Sequence, residues 1–255
     1  MIYEERNKEL KYPRAIKDEK TRLVLDWLLE FRFSSIEVLS ARIGQIPSNA
    51  NRFFNSLLND KIIQSFKNAH TKNYRFFMLA SAGVGYLEAE GRNIEKAVTK
   101  VATLGRYSHI IHDLSVQYIV LNRMQSWEEV VWDKNINFGD DSDRPDVLLK
   151  YHKGEKTFWS AIEYERWRKD SKRIFLTFYN HVKNIQNKRY VGVTYLFQQE
   201  ADAAHYQKLF KTEDWPIYER SGVSGKIRKT GDIFNPDNIE NIRKRFVFKY
   251  EPVEI

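Results

Sequence analysis

The spacing of apolar positions changes several times along the chain, and each change marks an element. Helical spacing begins at Lys20–Phe33, where Leu23, Trp27 and Leu28 share a face with Val24 and Phe31 nearby. Ser34 and Ser35 offer an N-cap to Ile36–Ile43, and Gly44 ends that helix. Pro47-Ser48 opens a third helix, Asn49–Asn59, with Phe53, Phe54, Leu57 and Leu58 inward. The period then falls to two. Lys61–Phe66 and Tyr74–Leu79 read as strands joined by the polar turn Asn68–Asn73, and a short helix at about Ala82–Glu90 closes the segment.

Three helices followed by a hairpin is the order of a winged helix-turn-helix. In such modules the third helix enters the DNA major groove and the wing touches backbone. Asn49, Asn51, Arg52 and Asn55 fall on the outer side of that helix, where amide and guanidinium groups suit base edges and phosphates. Lys67, Lys72 and Arg75 flank the wing. Winged helices also serve as protein-interaction modules, so the pattern alone leaves both uses open.

A long helix is predicted from about Thr99 to Met124, followed by strands at Glu128–Trp132, Pro145–Tyr151 and Thr157–Glu165. The turn between the last two is His152–Lys156. A helix over roughly Ser171–Asn187 leads to an apolar strand, Tyr190–Phe197, then a helix, Glu200–Phe210, and a strand, Trp215–Arg220. Ser221–Thr230 reads as a Gly-, Lys- and Arg-rich loop and Arg245–Tyr250 as a last strand. The fourth strand is reached through a helical crossover, which favours parallel placement. The expected organisation is an arm over residues 1–19, a winged helix over 20–98 and an α/β domain with a mixed sheet over 99–255.

The chain of 255 residues carries a net charge of +8, spread over both halves, and its pI is about 9.4. That surplus suits a polyanionic partner, because each neutralised phosphate releases counterions. A merely basic surface would give the same charge. There are no cysteines, which removes disulfides, zinc fingers, iron–sulfur clusters and thiol catalysis and fits a cytoplasmic protein. No apolar run spans a bilayer, and the charged N-terminal stretch shows no secretory signal. There is no Gly-rich phosphate loop ending in Lys-Ser/Thr and no Gly-x-Ser-x-Gly elbow.

The candidate chemistry lies in carboxylates. Glu163 and Glu165, two apart in a strand, point to one face, while Ile162 and Tyr164 point to the other. Asp146 starts the other arm of the hairpin and should come close to Glu163. Converging carboxylates make an oxygen cage for Mg²⁺ or Mn²⁺, and such an ion can hold a phosphate and activate an attacking oxygen. An acid pair two apart is also common on solvated strand faces. His109 and His112, at i and i+3 beside Asp113, could bind a metal, but a packed or hydrogen-bonded pair is the better reading; His70 lies in the wing, and His152, His181 and His205 have no partner by spacing.

Pro145-Asp146 followed by Glu163-Tyr164-Glu165 resembles the PD-(D/E)-x-K signature of restriction-endonuclease-like nucleases, whose core runs helix, three antiparallel strands, helix, strand. The two-domain order, over about residues 20–200, is similar to the replication–relaxation family and most of all to its MobC-type plasmid mobilisation relaxases. The resemblance implies DNA nicking at a plasmid transfer or replication origin. It further implies metal ligation by Asp146, Glu163 and Glu165, an accessory mobilisation protein and a coupling protein as partners. The chain departs from the signature where Glu165 takes the lysine's place. Lys169 and Lys172 follow at the next helix, and Lys172 is preferred because it falls in the first turn. A relaxase preserves the phosphodiester's energy through a tyrosine. Tyr179 lies two turns after Lys172, and Tyr164 faces away from the glutamates. Two other readings stay open: a non-catalytic winged-helix regulator, and a plain endonuclease of defence or repair.

Overall fold

The computed structural model describes residues 13–67, 74–104, 107–124, 127–139, 143–221 and 226–254. The chain divides into two compact units, one reaching Asn122 and the other running Arg123–Glu254.

The first unit opens with α1 (Pro13–Phe31). Proline at the first helical position has no hydrogen bond to lose there. The helix starts earlier than its apolar spacing indicated, so residues 13–19 of the expected arm are helical, while 1–12 lie outside the described residues. Val24, Leu25, Leu28 and Phe31 are fully buried. A three-residue strand, β1 (Phe33–Ser35), follows, and the Ser35 hydroxyl caps α2 (Ile36–Arg42) by accepting from the Val38 N–H. Next come α3 (Pro47–Asn59), β2 (Ile63–Lys67), β3 (Arg75–Leu79) and α4 (Ser81–Ala89). β3 is the centre of a three-stranded antiparallel sheet with β1 and β2 on its edges. Gly83 lets α4 approach β2: a Cβ there would stand 2.1 Å from the Ile62 carbonyl oxygen.

The expected helix Thr99–Met124 is instead a 3₁₀ turn, Val101–Thr103, and a shorter helix, α5 (Tyr107–Asn122). α5 belongs with the first unit rather than the second, so the boundary moves from residue 98 to 122. The tie is a buried polar network. Gln117 Oε1 accepts from the Trp27 indole at 3.0 Å and the Ser34 hydroxyl at 2.6 Å, and its Nε2 donates to the Phe33 carbonyl at 2.9 Å.

The second unit is built on a five-stranded mixed sheet. Its strands are β4 (Glu129–Trp132), β5 (Val147–Lys153), β6 (Lys156–Glu165), β7 (Val193–Phe197) and β10 (Phe246–Tyr250), in the order β10-β7-β6-β5-β4. β4, β5 and β6 are antiparallel neighbours, and β7 runs parallel to both β6 and β10. That is the strand arrangement of the expected core. The β5–β6 turn is only Gly154-Glu155, with Gly154 at φ +62°. Helices α6 (Ser171–Gln186) and α7 (Glu200–Phe210) bury an aromatic cluster centred on Phe178, whose ring lies 5.6 Å from Tyr195 and 5.3 Å from Phe210.

A separate two-stranded ribbon, β8 (Trp215–Arg220) with β9 (Ile227–Phe234), packs on α6. β9 replaces the later part of the expected loop 221–230; residues 222–225 lie outside the described residues. Its side chains are mostly exposed, so hydrophobic alternation had nothing to record.

Candidate active site

Residues at the β5–β6 strand ends are positioned by ladder register. Val147 pairs with Ile162, which sets Asp146 opposite Glu163. The Asp146 side chain accepts from the Tyr164 backbone N–H at 2.6 Å. The segment before β5 is fixed to α6: Asn180 donates to the Asp143 carboxylate at 2.6 Å, and Asn184 to the Asp143 carbonyl at 3.1 Å. Glu163 and Glu165 pair with Tyr195 and Phe197 of β7. Both glutamates are buried, at 5% and 3% exposure. A buried carboxylate needs compensation, and for Glu165 its source is a lysine.

Lys169 Nζ stands 2.6 Å from Glu165 Oε1. Burial, opposed by Lys169 and reinforced by Glu163 and Asp146, pushes the Glu165 carboxyl up to about 7. Burial also works against the Lys169 charge, yet Glu165, Glu163 and Asp146 outweigh it and hold the ammonium well above its ordinary range. The lysine therefore feels all three predicted carboxylates at once. On the other side, His181 Nε2 lies 3.1 Å from Glu163 Oε1, outside hydrogen-bonding angle, while its Nδ1 meets the Tyr190 hydroxyl at 2.6 Å. Burial drives His181 down to about 3, so the ring is neutral. The phenols of Tyr195 and Tyr206 are raised far above the ordinary range, by burial first and by the glutamates next.

Asp146, Glu163 and Glu165 thus form one electrostatic cluster. They do not form a three-donor metal cage: among the described residues no three His, Asp or Glu side chains are arranged to hold a metal ion. The reason is visible in the partners, since Glu165 is held by Lys169, Glu163 faces His181, and Asp146 accepts from a backbone amide. Lys172 is exposed in the first turn of α6, and the cation beside the carboxylates is Lys169. A residue just before the helix can reach back to the strand end, whereas the first turn of α6 carries Lys172 outward. Tyr179 packs its ring 5.2 Å from Phe234 of β9 and lies under the Lys183 ammonium. Sequence reasoning missed His181, Tyr206 and Asp143. His181 had no partner by spacing because its partners come from β6 and the segment before β7.

In the first unit, Asn49, Asn51, Arg52 and Asn55 are all exposed on α3, opposite buried Ala50, Phe54 and Leu57. Lys67 and Arg75 are exposed and paired in register at the β2–β3 end. Lys72 and His70 lie outside the described residues. His109 is exposed while His112 is half-buried.

No family model matches the chain, and no curated protein matches it. Among solved structures, restriction endonuclease FokI superposes with a TM-score of 0.30 and 10% identity, over 75% of this chain and 40% of that chain. The chain therefore spans less than half the length of that nuclease, and a superposition at this level does not establish a shared fold.

Proposed function

We propose that the chain is a DNA-nicking enzyme whose N-terminal winged helix-turn-helix reads the site and whose second unit cuts one strand. The observation that carries this reading is the Lys169 ammonium held among Glu165, Glu163 and Asp146 at the end of a β-hairpin, beside a basic cleft. Glu165, poised near neutrality, is suited to take a proton from an attacking water. Lys169 is suited to offset the charge that develops on the scissile phosphate as the P–O bond to the leaving sugar oxygen breaks. Asp146 and Glu163 set the potential at both groups.

A plasmid transfer or replication origin as target, with a mobilisation and a coupling protein as partners, follows from the motif resemblance. Mg²⁺ or Mn²⁺ is the cofactor that resemblance implies. In the present geometry a divalent ion would have to draw Glu165 from Lys169. The phenols of Tyr195 and Tyr206, which feel the glutamates, are held firmly protonated, and Tyr179 packs on Phe234 of the ribbon, which favours water over tyrosine as nucleophile.

The test is conversion of supercoiled plasmid to nicked circles, with Mn²⁺ or with EDTA, by the wild type, Asp146→Asn, Glu163→Gln and Lys169→Met. Nicking that depends on these residues supports the reading. Equal nicking by all four proteins would sink it. Degradation of any plasmid, whatever origin it carries, would point to a plain endonuclease. The pairing of every carboxylate with a protein group favours one second reading, a non-catalytic DNA-binding regulator, which would shift DNA in a gel and cut nothing.

A further inference from the structure

The segment that follows Glu165 reads Arg166-Trp167-Arg168-Lys169-Asp170-Ser171-Lys172-Arg173, and only part of it is used by the carboxylate cluster. Trp167 is 71% exposed, the largest exposure among the large apolar side chains of the described residues. Its ring lies outside the Phe178 cluster, with the Arg166 guanidinium 5.7 Å from the ring centroid. Tryptophan carries a large apolar face, and leaving that face in water is unfavourable unless something else covers it.

Two residues later in sequence, Lys169 begins the lining of a cleft of about 590 Å³ between the first two turns of α6 and the turn end of the β8–β9 ribbon. Its walls carry five cations, Lys169, Lys172, Arg173, Arg220 and Lys226, and a single carboxylate, Asp170. Asp170 is already committed, since it caps α6 by accepting from the Arg173 backbone N–H at 2.9 Å. Arg220 is only loosely engaged, 3.7 Å from Asp143. At the volume water occupies in the liquid, such a space holds roughly twenty molecules, far more than one inorganic ion displaces. An extended polyanion fits this combination of room and charge, and a nucleic-acid strand supplies phosphates along its backbone and flat bases at its side.

We infer that this cleft binds the phosphates of one DNA strand and that Trp167 stacks on an unpaired base of the same strand. The inference rests on the nuclease reading for the choice of DNA, and it names the form of DNA the site accepts. A duplex keeps its base faces covered, so stacking on Trp167 requires a base that is single-stranded or flipped out.

Binding is measured by fluorescence anisotropy on the full chain in EDTA, which separates binding from cutting. The probe is a labelled oligonucleotide, either single-stranded or annealed to its complement. Trp167→Ala is expected to weaken single-strand binding by about 5- to 100-fold and to leave duplex binding within about twofold. Trp167→Phe should recover most of the loss. The triple variant Lys172→Gln/Arg173→Gln/Arg220→Gln should lower the salt-dependence slope for the single strand by about 2, at roughly 0.7 per lost phosphate contact. Unchanged single-strand affinity in Trp167→Ala, or an equal loss on duplex, overturns the stacking role. An unchanged salt slope in the triple variant overturns the cleft. A chain that binds as expected and never nicks leaves this assignment standing and removes only the nuclease reading.

Discussion

The two units bury polar groups in opposite ways. In the first, Gln117 is fully buried and neutral, and its amide is spent on Trp27, Ser34 and the Phe33 carbonyl. Each partner is satisfied, and the network joins α1, β1 and α5. In the second, Glu163, Glu165, Lys169 and His181 crowd one strand end, where Glu165 and Lys169 shift each other's protonation and both act on His181. Neutral satisfied networks fix a fold. Buried groups whose ionisation is mutually strained cost stability and are concentrated where chemistry is done.

That contrast can be broken most directly at Glu163. Glu163→Gln is expected to reduce nicking by about 10²–10⁴-fold while leaving the fold as stable as before or more so, because a buried like charge beside Glu165 is removed. Gln117→Leu should do the reverse. It orphans the Trp27 and Ser34 donors and should destabilise the first unit by about 2–4 kcal/mol, read by thermal or urea unfolding, with little effect on the nicking rate of the folded fraction. If Gln117→Leu silences nicking as strongly as Glu163→Gln, the contrast between the units is wrong.

The pH dependence sharpens the same point. Glu165, raised from 4.5 to about 7, contributes stability that is full below pH 4.5 and lost as the pH rises through 7. His181, lowered from 6.5 to about 3, contributes stability present above pH 6.5 and lost as the pH falls through 3. The two windows overlap with opposed slopes, so the second unit should be most stable from about pH 4.5 to 6.5, losing stability on either side. Lys169→Met should destabilise it by about 1–2 kcal/mol at pH 8, a modest figure because the lysine side chain keeps 35% exposure. The cost should shrink near pH 5, where Glu165 is protonated. Equal destabilisation at both pH values would show that the lysine's stem, not its charge, matters.

The smallest effect is expected at the first unit's exposed cations. Lys67→Gln/Arg75→Gln should lower the salt slope of duplex binding by about 1–2 and leave unfolding unchanged. A loss of stability instead would mean that Arg75 matters through its stacking on Phe77, 5.2 Å away.

Much of this was legible along the chain because it depends on local period. The helix–helix–hairpin order, the Ser35 cap, the β5–β6 hairpin and the shared face of Glu163 and Glu165 all follow from spacings of two or about four residues. β1 and β9 escaped notice because one is too short to show a period and the other is polar on both faces. The boundary at Asn122 was invisible because it depends on where Gln117 finds partners more than eighty residues earlier in sequence.

The sequence by itself determined that three carboxylates would meet at one end of a hairpin, since register and alternation are properties of neighbouring residues. Only the tertiary structure decided what those carboxylates hold. Lys169 rather than Lys172 joins them, because burial charges a high cost for any unpaired ion and the nearest cation able to meet it comes from the turn before α6, while the neutral His181 ring closes the far side. That compensation acts through space, across elements whose packing no local pattern records.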